Sequence, residues 1–132
     1  MTVRKLLLGL VGMLAVLEGG RPAASGQEMT EQYIPIGQSP GVSGTATVIG
    51  TLQSVNAVAQ TCAIAGATGT VSVAITERTK IWLDRSKTGQ PNLEGTFANL
   101  RPGVTVEVKP EDPQRGIGGP ARWIKIQVPA SR

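Results

Sequence analysis

The sequence predicts a small all-β fold, an antiparallel barrel of five to six strands, on three observations. Apolar residues recur at every second position in several short runs, most cleanly at Val104, Val106 and Val108 opposite Thr105, Glu107 and Lys109. Gly- and Pro-bearing segments separate these runs, as Pro102-Gly103 does just ahead of that one. No stretch carries a 3.6-residue apolar period over a useful helical length.

The chain of 132 residues opens on MTVRKLLLGLVGMLAVL, with Arg4 and Lys5 ahead of a twelve-residue apolar run, Leu6 to Leu17. Small residues at Ala23, Ala24, Ser25 and Gly26 follow, the three-part pattern of a secretory signal peptide over residues 1–26. Twelve apolar residues fall short of the roughly 20 that span a bilayer, so no membrane span is expected in the mature chain. The expected location is outside the cytoplasm, periplasmic or extracellular. Three of the 13 basic residues and one of the nine acidic ones lie in this leader, leaving ten against eight, a net +2. So small an excess gives no basic groove, and nucleic acid is disfavoured as a partner.

Residues 27–43, QEMTEQYIPIGQSPGVS, read as an extended arm. Pro35 and Pro40 exclude a regular helix, and Tyr33, Ile34 and Ile36 form an apolar cluster on a polar background. The arm is either a free tail or a segment laid across an apolar patch of its own domain or a neighbour's. The barrel domain follows over residues 44–129. Its expected first strand is Thr45–Val55, with Gly50 at a bulge or bend. Gln60–Ala65 and Thr70–Thr76 form a hairpin around Gly66-Ala67-Thr68-Gly69. Lys80–Asp84 places Ile81 and Leu83 inward and Trp82 outward. Arg85–Glu94 is too broken by Gly89 and Pro91 to be a strand, and Thr96–Leu100 offers one helical turn. After the Val104–Val108 strand comes a long loop, Pro110–Pro120, with three prolines and three glycines. Ala121–Val128 closes the domain with Ile124, Ile126 and Val128 inward, and residues 130–132 are a tail.

The order of these elements, with Thr79-Lys80-Ile81, the phrase Phe97-Ala98-Asn99-Leu100-Arg101-Pro102-Gly103-Val104-Thr105-Val106-Glu107-Val108 and Ala121-Arg122-Trp123-Ile124-Lys125-Ile126, resembles a family of small exported bacterial domains of unknown function. The resemblance covers Gly44 to Val128 and implies an OB-like β-barrel and an exported location. It implies no catalytic residues.

Chemistry is scarce. There is no histidine and a single cysteine, Cys62, so the usual transition-metal ligand sets and the commonest general base are missing. Cys62 is either a small apolar core residue or the donor of an intermolecular bridge. Glu111-Asp112 offers carboxylates to a hard cation but reads more simply as a solvated loop. No phosphate-binding loop and no nucleophile with a base beside it occurs, so no enzyme, catalytic residue, metal or cofactor is expected.

What remains is a binding surface. Trp82 and Trp123 fall at outward positions, flanked by Lys80, Arg122 and Lys125, an arrangement suited to anchoring a partner chain or stacking on a glycan. The alternative is that a loop or the Tyr33 arm covers this face. The expected function is a non-catalytic module binding a protein or copies of itself through these residues and through Tyr33, Ile34 and Ile36. A small or oligosaccharide ligand on the tryptophans is the second expectation.

Overall fold

The computed structural model describes residues 30–112 and 118–130. The expected signal peptide, the middle of the Pro110–Pro120 loop and the end of the tail lie outside the described residues. The chain divides into two units at Gln32, and the unit Gln32–Arg132 holds every strand among the described residues. No helix among the described residues is long and apolar enough to cross a membrane.

The second unit is all-β: seven strands in one mainly antiparallel sheet. They are β1 (Val48–Asn56), β2 (Thr61–Gly66), β3 (Gly69–Ala74), β4 (Lys80–Asp84), β5 (Leu93–Glu94), β6 (Thr105–Pro110) and β7 (Ala121–Gln127), in the spatial order β3-β2-β1-β6-β7-β4-β5. Beyond this sheet order, the end of β3 touches the start of β7, through a parallel bridge of Ala74 with Pro120 and an Ala74 N–H bond to the Gly119 carbonyl at 3.2 Å.

Strand parity places the core as expected. Val106, Val108, Ile124 and Ile126 are buried on one face with Leu52, Ile64 and Val73, and Ile81 and Leu83 pack against them. The expected helical turn is a short 3-10 turn, Phe97–Asn99, capped where Asn99 Oδ1 accepts the Thr96 N–H at 2.8 Å. It delivers Leu100 into the core. Cys62 is a core residue too; burial pushes its thiol up to about 11, so it is neutral and unreactive near pH 7.

Five features differ from expectation. The sheet is open rather than a closed barrel. Its β4/β7 pair is parallel, from Lys80↔Trp123 to Asp84↔Gln127, because the chain crosses over from β4 through β5 and β6 before returning as β7. Leu93–Glu94 does form a strand: Asn92 Oδ1 accepts the Arg85 N–H at 2.7 Å, turning the broken connection back onto β4. The bulge in β1 falls between Leu52 and Ser54, whereas Gly50 marks a close approach to β2. The hairpin loop has only Ala67 and Thr68 between its paired ends, since Gly66 and Gly69 pair with each other.

The arm is not extended. Three tight turns follow one another: the Gln38 N–H bonds the Pro35 carbonyl, Val42 bonds Ser39, and Thr45 bonds Val42, at 3.0–3.1 Å. A glycine takes the third position of each turn with positive φ, which is what lets the chain reverse so often; at Gly37 φ is +84°.

Candidate functional site

The face of the sheet opposite the core is assembled by register. Glu107 on β6 pairs with Lys125 on β7, and Lys125 with Trp82 on β4; one step along, Lys109, Trp123 and Lys80 are aligned in the same way. Asp84 stands two residues beyond Trp82 and so on the same face. Period two therefore gathers two tryptophans, two acids and three lysines outside the core.

Outward does not mean exposed here. Trp82 and Trp123 are 4% and 1% exposed, and Asp84, Glu107 and Lys125 are each 0% exposed. The three charged groups meet the segment following Gln32. The Lys125 ammonium donates to the Ile34 carbonyl at 2.7 Å. The Ile36 N–H donates to Asp84 Oδ2 at 2.8 Å, and the Gly37 N–H to Glu107 Oε1 at 3.0 Å. The other oxygen of Glu107 accepts the Thr47 hydroxyl at 2.7 Å. Near the start of the segment, Asn92 Nδ2 donates to the Gln32 carbonyl at 3.0 Å.

The local sequence explains this geometry. In the Pro35–Gln38 turn the two central N–H groups, those of Ile36 and Gly37, take no part in closing the turn and stay free to donate. Each of them meets its own carboxylate, Ile36 that of Asp84 and Gly37 that of Glu107. A side chain at Gly37 would meet the Ile49 Cδ1 at 3.9 Å, an ordinary contact, so its positive φ is what requires glycine there.

Electrostatics make the arrangement consistent. A carboxylate taken out of water is stable only with donors around it. For Asp84, burial raises the carboxyl's affinity for a proton. Bonds from the Ser86 hydroxyl, the Ile36 N–H and the Ser86 N–H, with the Lys125 charge, outweigh that and hold it below the usual carboxylate range. Lys125 also lies over the Trp123 ring, 4.8 Å from its centroid, and Trp123 packs on Trp82 at 5.6 Å with 33° between the planes.

The depressed Asp84 carboxyl has a pH consequence. Its contribution to stability is complete above the unfolded carboxylate range and is lost as pH falls through the lower, folded value. Urea midpoints measured between about pH 5 and pH 2 should fall, and Asp84→Asn should flatten that fall while lowering stability at neutral pH. An unchanged slope in Asp84→Asn would assign the acid sensitivity elsewhere.

Of the residues expected to bind, Trp82, Trp123, Lys125, Ile34 and Ile36 do come together, but as the two sides of one closed contact. Trp82, Trp123 and Lys125 are buried and Ile34 and Ile36 half-buried, so the tryptophan face is covered rather than open to a ligand, the alternative given above. Lys80 is aligned with Trp123 and is exposed. Tyr33 is 61% exposed at the rim. Arg122 is exposed, with parity opposite to Trp123, and its charge acts on Glu111 instead. Sequence reasoning missed Asp84, Glu107, Thr47 and Asn92. The first two were legible as outward acids flanking an outward lysine; the roles of Thr47 and Asn92 depend on where the turns bring the chain.

Glu111, weighed above as half of a cation site, is held by Arg78 through two bonds of 2.8 and 3.0 Å. Among the described residues no group of three or more Asp, Glu, Cys or His gathers around a metal position. No protein-family model, curated protein or solved structure matches the chain.

Proposed function

We propose that this chain is a non-catalytic, exported binding module whose outer sheet face holds a peptide segment, with its own residues 32–47 as the resident occupant. One observation carries this. Three fully buried charged side chains, Asp84, Glu107 and Lys125, address the backbone N–H and C=O groups of Ile34, Ile36 and Gly37 rather than their side chains. A face that reads main-chain groups accepts any segment able to make the same turn, from another copy of the chain or from a different protein. The tryptophan pair supplies the apolar floor, and the exposed Tyr33 and Lys80 offer contacts at its margin.

An OB-like arrangement, left open along most of β3, is the finer fold proposed for the module. The parallel β4/β7 pair and the Ala74–Pro120 bridge support it, since they draw the end of β3 toward β7. Export rests on the leader pattern alone. Glycan stacking on Trp82 and Trp123 would require the resident segment to leave first, and no contact here favours it.

The test uses the two tryptophans, the only ones in the chain, as reporters. Ile36→Pro removes the N–H given to Asp84 and should release the segment, shifting Trp emission to the red and increasing acrylamide quenching. A synthetic peptide of residues 32–47 should then restore the blue emission saturably, while a scrambled peptide does nothing. Failure of the native-sequence peptide to shift the emission at any concentration would sink the proposal.

A further inference from the structure

The two ends of the sheet are protected very differently. The β5 edge is only two residues long and carries Glu94, two of the usual ways in which an edge is kept from pairing with strangers. The β3 edge has six residues, GTVSVA, with no charge, no proline and no break in its register against β2. Among the described residues, only its last member, Ala74, takes a partner on the outer side, at Gly119 and Pro120. Within the described residues, the outer edge from Gly69 to Val73 has no strand partner.

The absence of charge extends well beyond the strand. Residues 32–76 include no Asp, Glu, Lys or Arg, a run of 45 residues covering all of β1, β2 and β3. Every charge of the remaining strands lies in β4 to β7. A strand that meets a differently charged partner profits from complementary charges, and β3 has none to offer. A strand that meets itself has the opposite requirement. Antiparallel self-pairing about a two-fold axis sets the central side chain opposite its own equivalent and its neighbours a diagonal away from theirs, so a charge near the axis would lie close to its like.

We infer that the free edge of β3 is a homodimer interface, two copies pairing β3 with β3 antiparallel into one continuous sheet. With the axis perpendicular to the sheet, faces are preserved. With that axis at Val71, the centre of the free edge, Val71 meets its equivalent on the core side, and Thr70 meets Ser72 of the other copy on the exposed side, where hydroxyl pairs bond across strands. A five-residue edge is a small interface, so the dimer should be weak and dependent on concentration. This inference goes beyond the peptide-binding proposal and uses neither the resident segment nor its face.

Sedimentation equilibrium on the purified protein over a hundredfold concentration range tests it. The weight-average mass should rise toward twice the monomer value. Ser72→Lys, an exposed position, should keep the native Trp emission yet stay monomeric at every concentration. Mixing equal amounts of Ser72→Lys and Ser72→Glu should restore the dimer, because opposite charges then lie diagonally across the axis, within reach of long side chains. Ile36→Pro should leave the dimer intact. A monomer throughout in the unmodified protein, a dimer that survives Ser72→Lys, or no recovery on mixing would each overturn the edge pairing. A dimer lost only in Ile36→Pro would point to exchange of the resident segment instead.

Discussion

Lys125→Met should lower the unfolding free energy by about 3–5 kcal/mol, although methionine nearly matches the lysine stem in length and volume. The loss does not come from packing. Lys125 is fully buried, bonds the Ile34 carbonyl and lies over Trp123, and its charge helps keep the Asp84 carboxyl ionised. Removing it strands two buried acids and leaves a backbone carbonyl without its donor, so most of the effect is the penalty of uncompensated desolvation. Lys80→Met makes the same change on the same face at an exposed position and should stay within about 0.5 kcal/mol. Combining Lys125→Met with Glu107→Gln should cost less than the two single changes added, since Gln removes one stranded charge and keeps an acceptor oxygen for one of its two donors, Gly37 or Thr47. Strict additivity in denaturant melts would show that the two residues do not share a network.

That network separates what the sequence makes legible from what it conceals. Alternation was enough to assign Ile81 and Leu83 to the core and Trp82 away from it, and likewise Ile124 and Ile126 against Trp123, because side-chain direction is a local property of a strand. Burial is not local. Ile34 and Lys125 are 91 residues apart, Gly37 and Glu107 are 70 apart, and only the folded path of the turns makes them neighbours. An outward position in a strand is therefore exposed only if nothing later lies on it, and here the Pro35–Gln38 turn does. The prolines of that segment exclude a helix and so suggest an extended arm, but with Gly at the third position of each turn the chain reverses instead. The parallel β4/β7 pair was hidden for a related reason. Alternation along β7 is the same whichever direction its neighbour runs, and connection length alone did not distinguish a return beside β6 from a return between β6 and β4.

Gly50→Ala tests the other side of the same construction and should lower stability by about 3 kcal/mol, roughly 15 °C in Tm for a domain of this size. A Cβ at position 50 would lie 2.1 Å from the Ala65 carbonyl oxygen, 2.8 Å from its carbon and 3.0 Å from the Gly66 Cα. All three are backbone atoms, so no side chain can swing aside and β1 must move away from β2. It is not free to do so alone, because Gly50 pairs with Gly66 on one side and with Val106 on the other. Displacing β1 also draws on the candidate site: Thr47, just ahead of the strand, donates to Glu107, and Ile49 pairs with it in register. The variant should therefore melt earlier and also show redder, more quenchable tryptophan emission before it melts. Gly66→Ala is the control. There the nearest atom is the Val48 Cγ1 at 3.0 Å, the end of a side chain that can turn, and the loss should be about 1 kcal/mol with native emission. Equal losses at the two glycines would mean that flexibility in the strand, rather than the closeness of β1 to β2, sets the need for glycine at position 50.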